Sequence, residues 1–235
     1  MAGRIAVVSA MHEELHALHA DLNQPRIERA AGREFHLGTL RDQPVLLVLS
    51  GIGKVAAATT TALLLDRFAV DAILFTGVAG GLSADVRVGD VVIGDLLLQH
   101  DLDASPIFPR WEVPLTGKSR FAADSAWSDT LATAARASGH AVHRGLIVSG
   151  DRFVSTSAES AALRSELPDA LAVEMEGAAV AQVCHDFGRP FAVMRTVSDR
   201  ADDSAHVDFS RFVADVASAL TRSIVGRALA SRSRT

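Results

Sequence analysis

The chain is expected to form a single three-layer α/β domain spanning residues 1–235, with a central mixed sheet between helices. Three observations predict this. Apolar runs of strand length alternate with helical stretches along the whole chain. Residues 173–202 read as one strand–helix–strand unit with acids at both junctions, Glu174 and Glu176 at the first and Asp199 and Asp202 at the second. An apolar fraction of 49% over 235 residues supplies one sizeable core without a linker or internal repeat.

In chain order, Arg4 to Ala10 reads as a buried first strand and Glu13 to Leu22 as a helix. Pro25 to Gly32 reads as loop, because it is polar and bounded by Pro and Gly. Strand patterns follow at Glu34 to Leu40 and Val45 to Leu49, broken by a turn at Arg41-Asp42-Gln43-Pro44. Gly53 to Phe68 is an Ala/Thr/Leu-rich helix, Ala72 to Thr76 a short buried strand, and Val91 to His100 a further strand. Residues 101–124 look irregular yet hold Phe108, Trp111 and Phe121, with Trp127 just beyond; a long loop in a compact domain is usually functional. Ser125 to Ser138 reads as helix, His143 to Ser149 as strand and Ser157 to Leu167 as helix. Val180 to Phe187 and Phe191 to Val197 are the helix and second strand of the unit at 173–202. In a last helix Phe209, Phe212, Val213, Val216, Leu220 and Ile224 share one face, and the tail from Ala230 looks frayed.

Charge and cysteine usage exclude several classes. A net charge of −5 with a pI near 6.0 leaves no nucleic-acid footprint. The single cysteine, Cys184, lies in an apolar helical run and suits a reducing cytoplasm. The early apolar run is cut by His12-Glu13-Glu14, so neither a signal peptide nor a membrane span is expected.

Three motif look-alikes fail on context. His12-Glu13-Glu14-Leu15-His16 matches a zinc-peptidase pattern but starts its helix instead of lying within one, so no metal is expected. Gly51-Ile52-Gly53-Lys54-Val55-Ala56 follows a strand and opens a helix, as a dinucleotide loop would. However, the acid about twenty residues on, Asp71, begins a strand instead of ending one. It also lacks the Ser/Thr that a P-loop needs after its lysine. Its glycines, like Gly77, Gly80 and Gly81, suit close approach of backbone to a ligand, or tight packing alone. Ser149 and Ser198 lack a nucleophile-elbow pattern.

Acids that interrupt apolar strands at their carboxyl ends are poor packing residues and good site residues. The segment Val173-Glu174-Met175-Glu176-Gly177-Ala178-Ala179, followed by Val197-Ser198-Asp199-Arg200-Ala201-Asp202, resembles the signature of the methylthioadenosine/S-adenosylhomocysteine nucleosidases, within the wider nucleoside phosphorylase superfamily. Ala10-Met11-His12-Glu13-Glu14, Ser50-Gly51-Ile52-Gly53-Lys54-Val55, Thr76-Gly77-Val78-Ala79-Gly80-Gly81 and Ser149-Gly150-Asp151-Arg152-Phe153 agree with it, in the same order.

The resemblance implies release of adenine by hydrolysis, without cofactor, in a cytoplasmic homodimer. It implies Asp199 as the acid that protonates the purine N7, oriented by Ser198, and Glu14 as the water-activating base. Glu176 would bind the ribose hydroxyls, with Met175 packing under the sugar. Phe153 would stack on the base and the Val154 backbone read its edge. Ile52, Val78, Ala79 and Phe209 fall at other pocket positions, and Met11, Gly80 and Glu174 belong to the same substrate-binding set. Two departures stand out: His12 replaces an acid common in the family, and the loop 103–111 is unlike the family's, which leaves the 5′ substituent open. Alternatives are a nucleosidase for another 5′-modified adenine nucleoside (5′-deoxyadenosine, aminodeoxyfutalosine), a purine nucleoside phosphorylase, a non-catalytic nucleoside-binding protein, and a zinc peptidase. Against a phosphorylase, Phe75 stands where an arginine usually precedes the glycine loop.

Overall fold

A computed structural model describes residues 3–212 and 216–232. The buried first strand is β1 (Ile5–Ser9), followed by α1 (His12–Ala20). A three-strand meander comes next: β2 (Asn23–Ala30), β3 (Arg33–Leu40) and β4 (Gln43–Leu49). Then follow α2 (Lys54–Asp66), β5 (Ala72–Gly81), β6 (Val91–Gln99), the short β7 (Arg120–Ala122) and α3 (Ser125–Ala137). The second half runs β8 (Val142–Ser149), α4 (Ser157–Glu166), β9 (Ala170–Glu174), α5 (Gly177–Asp186), β10 (Phe191–Asp199), α6 (Ala205–Phe212) and α7 (Ser218–Arg232).

β5 is buried along its whole length and sits at the centre. It pairs in parallel with β1 and β10, and β1 in parallel with β4. β10 pairs antiparallel with β6, β6 parallel with β8, β8 parallel with β9, and β9 returns antiparallel to β5 through Gly80↔Val173 and Gly81↔Ala172. The mixed sheet therefore curls until β5, β10, β6, β8 and β9 close into a ring. One apolar cluster packs α2 and α5 against the sheet, with Leu64, Phe68, Val180 and Cys184. A second packs α1, α3 and α7 on the opposite face, with Leu18, Leu131, Ile224 and Leu229. These are the two helical layers expected from the sequence. Each buried Leu, Ile or Val is worth about 1.5–3 kcal/mol relative to exposure.

The structure corrects the reading in places. Residues 25–30 are not loop: β2 is an exposed edge strand, joined to β3 through a turn at Ala31 and Gly32, both at positive φ (46° and 73°) as tight hairpin turns require. Arg41 and Asp42 form a second such turn (φ 49° and 63°), and Gln43 and Pro44 already belong to β4. Strand β7 lies inside the stretch expected to be irregular and buries Phe121 against the core. The last apolar face divides between α6 and α7, and α7 continues through Arg232 where fraying was expected. Val213 and the final residues 233–235 lie outside the described residues.

Candidate active site

The ring brings several strand ends and their following turns to one cavity of about 370 Å³. Its wall is made by Met11 and Glu14, Ile52, Val78 to Gly80, Phe153, Glu174 to Glu176, Ser198, Asp199 and Phe209. Among the expected site residues, Val154 lies just aside. It lines a small recess of about 20 Å³ that shares Gly80, Phe153, Glu174, Met175 and Asp199 with the main cavity. The polar members are buried: Glu14, Glu174, Glu176, Ser198 and Asp199 expose 7% or less of their surface.

Local structure explains each placement. The register of β10 on β5 shifts between Val197 and Asp199, a bulge that re-aims the strand end. Asp199 Oδ2 accepts from Ser198 Oγ at 2.8 Å and Oδ1 from the Ala201 N–H at 2.8 Å. Gly80 is required beside it, since a Cβ there would stand 2.9 Å from Asp199 Oδ1. Glu14, in the first turn of α1, reaches back: Oε2 accepts from the N–H groups of Ala10 (3.0 Å) and Met11 (2.9 Å), and Oε1 from Val78 N–H (3.0 Å). A Cβ at Gly77 would meet that Oε1 at 2.6 Å, so the glycine leaves space for the carboxylate. Glu176 Oε1 accepts from Gly53 N–H at 2.7 Å. Phe153 meets Phe209 edge to face at 5.4 Å between centroids and is half-exposed at the cavity mouth.

Glu174 reaches the wall, but its carboxylate is used internally. Arg195 donates to Oε2 from Nη2 at 2.6 Å and Nε at 3.2 Å, Ser149 Oγ donates to Oε1, and Glu176 and Gly177 N–H groups converge on it. Arg195 is 1% exposed, lies over the Phe75 ring at 4.2 Å and donates from Nη1 to the Phe75 and Met194 carbonyls. Sequence reading missed this arginine. The signal was present, since a charge inside the apolar run Phe191 to Val197 demands a buried partner.

Burial dominates the electrostatics. It raises the pKa of Glu14, against the nearby Arg195 charge and the three backbone donors. It raises Glu176 to about 8, assisted by the negative charge of Glu174. It raises Asp199, against the Ser198 and Ala201 hydrogen bonds. Carboxyls poised in this way suit proton transfer near neutrality. His12 and His16 stay on the exposed side of α1, with ring centroids 5.8 Å apart and His16 Nδ1 bonded to Ser218 Oγ. Among the described residues no group of three or more His, Cys, Asp or Glu is arranged to hold a metal ion. No helix among them is long and apolar enough to cross a membrane.

A family model described as the Phosphorylase superfamily matches residues 4–230, and the chain belongs to that superfamily. It is similar to a 5′-methylthioadenosine/S-adenosylhomocysteine nucleosidase from Neisseria meningitidis, solved with methylthio-immucillin-A: 39% identity, 97% of this chain and 99% of that one covered, TM-score 0.93. An S-adenosylhomocysteine nucleosidase from Streptococcus pyogenes, solved with 5-methylthiotubericidin, is 31% identical over 98% of this chain and 97% of its own, with TM-score 0.92. A futalosine hydrolase of Helicobacter pylori strain 26695 is 32% identical over 98% and 99%, with TM-score 0.90.

Proposed function

We propose that the chain hydrolyses the N-glycosidic bond of 5′-methylthioadenosine and/or S-adenosylhomocysteine, releasing adenine and a 5′-thio-substituted ribose. The observation that carries this is the set Asp199, Glu176 and Glu14, three buried carboxyls lining one cavity whose fourth acid, Glu174, is already paired with Arg195. Cleavage builds positive charge on the sugar and negative charge on the base. Asp199, whose proton affinity burial raises, delivers a proton to N7, and its fixed hydrogen bonds aim it and stabilise the carboxylate left behind. Glu176 has one oxygen tied to Gly53 N–H and the other free for ribose hydroxyls, beside the developing cation. Glu14 is held by its backbone donors and takes the proton of the attacking water. The division of labour parallels that of glycosidase carboxyl pairs. Met175 packs under the sugar, and Phe153 with the Val154 backbone takes the base. Met11, Val78 and Phe209 form an apolar cluster suited to a thioether. The chemistry draws on the chain's own groups and needs no cofactor or metal.

The assembly we propose is a cytoplasmic homodimer. Its motive is the aromatic loop around Phe108 and Trp111; both are half-buried, and the Trp111 Nε1–H donates to the His100 carbonyl at 3.0 Å. Ile107 in the same loop and Leu115 just beyond it add support, at 81% and 90% exposed. Light scattering at micromolar concentration should give twice the chain mass, and a monomer mass rejects the dimer. The likeness to the futalosine hydrolase keeps a second 5′ group in view. A panel of adenine nucleosides (5′-methylthioadenosine, S-adenosylhomocysteine, 5′-deoxyadenosine, aminodeoxyfutalosine), assayed for free adenine, should give highest kcat/KM for a thioether substrate. Absence of adenine release from every member rejects the nucleosidase reading.

A further inference from the structure

The glycine loop beside the cavity is fixed from outside by a ring of charged and backbone groups. Helix α2 has no side-chain cap of its own, because Gly53 occupies the cap position at φ 94°. Asp151, from the loop after β8, supplies the missing acceptor: its Oδ1 takes the Lys54 N–H at 2.7 Å. The Asp151 N–H donates to Asp101 Oδ2 at 2.9 Å. Lys54 Nζ closes the ring on Asp101 Oδ1 at 2.6 Å and also donates to Gln99 Oε1 at 3.1 Å. The ring ties together the loop after β4, the end of β6 and the loop that carries Phe153. One residue before the capped N–H, Gly53 N–H points at Glu176 Oε1 at 2.7 Å. A glycine in the left-handed region has no side chain to hold its orientation, so that donor depends on its neighbour being pinned.

We propose that Asp151 is a positioning residue for Glu176: by capping α2 from the neighbouring loop it holds the Gly53 N–H on the ribose-facing carboxylate. This rests on the role given to Glu176 above. Two consequences separate it from a merely structural cap. Loss of a donor to the ionised carboxylate pushes Glu176 further up, so the ascending limb of the kcat/KM–pH profile moves to higher pH in Asp151→Ala. The loss of rate should also depend on the hydroxyls that Glu176 holds.

The experiment compares unmodified protein, Asp151→Ala and Asp151→Asn on 5′-methylthioadenosine and on its 2′-deoxy and 3′-deoxy forms, with thermal unfolding run in parallel. Asp151→Ala should lose about 10- to 100-fold in kcat/KM on the riboside, the scale of a hydrogen bond to a charged group. The loss should be smaller on at least one deoxy form, and the ascending limb should rise. Asp151→Asn keeps an oxygen for the Lys54 N–H and should recover most of the rate. Equal losses on ribosides and deoxyribosides with an unmoved limb, or unchanged kinetics, overturn the proposal. Should Asp151→Ala fail to fold, Asp101→Asn weakens the same ring from its far side, and the same limb decides in the same way. Unmodified protein that releases no adenine at all rejects the nucleosidase reading instead.

Discussion

Asp199 occupies the bulged end of β10 with 1% of its surface exposed, where burial raises its proton affinity against the Ser198 and Ala201 hydrogen bonds. Replacing it with Asn keeps the shape and one acceptor oxygen, enough for the Ala201 N–H, but removes the transferable proton. Adenine release should fall at least ~100-fold in Asp199→Asn, the usual scale of general acid catalysis; near-normal turnover would sink the assignment. Glu176 gives a prediction about stability. Its folded pKa, about 8, lies above the ordinary carboxyl value of 4.5, so the folded ligand-free protein binds more protons than the unfolded chain between those values. Its contribution is therefore fully present below pH 4.5 and fades as pH rises through 8. Unfolding free energy should drop by about 1 kcal/mol per pH unit in that window. Denaturant titrations of unmodified protein and Glu176→Gln from pH 5 to 9 should show the slope flattened in the variant, and identical slopes would refute the shift. These acids were legible in the sequence because charge at the end of an apolar run is conspicuous. What was not legible was which carboxylate is free: Glu174 and Glu176 look alike on paper, and only the fold shows Arg195 claiming the first.

At the scale of elements, that claim ties two members of the ring together. Arg195 of β10 and Glu174 of β9 form an ion pair whose side chains are 2% and 3% exposed. Truncating one partner strands a buried charge. Arg195→Met should cost about 3–5 kcal/mol in chemical unfolding, and adding Glu174→Gln should recover part of it. A single variant within ~1 kcal/mol of the parent would contradict this. The misread elements share a physical cause. Edge strand β2 reads Asn-Gln-Pro-Arg-Ile-Glu-Arg-Ala and carries no apolar alternation, because it covers no core; its pairing comes from the hairpin geometry at Ala31 and Gly32. Strand β7 is three residues long, too short for periodicity to register. The buried strands and the Ala-rich α2 were readable because their burial is written into composition. The closure of the sheet was not readable, since it rests on the Gly80↔Val173 pairing between segments far apart in sequence.

For the molecule as a whole, the remaining question is what attacks the sugar. A phosphorylase must hold a phosphate dianion there, normally with arginines and backbone N–H groups. The cavity wall carries Glu14, Glu174, Glu176 and Asp199. The neighbouring Arg195 is already committed to Glu174 and to the Phe75 and Met194 carbonyls. The backbone N–H groups of Ala10, Met11 and Val78, which an anion would need, all donate to Glu14. Burial raises Glu14, while those donors and Arg195 favour its ionised form. At ~4 Å two like unit charges repel by about 4 kcal/mol at an effective dielectric near 20, so an ionised Glu14 excludes a dianion while it accepts a proton from water. Adenine release should therefore run at full rate in phosphate-free buffer, yield the free sugar, and fall at least ~100-fold in Glu14→Gln. Strict dependence on added phosphate, with a sugar 1-phosphate as product, would establish phosphorolysis in its place.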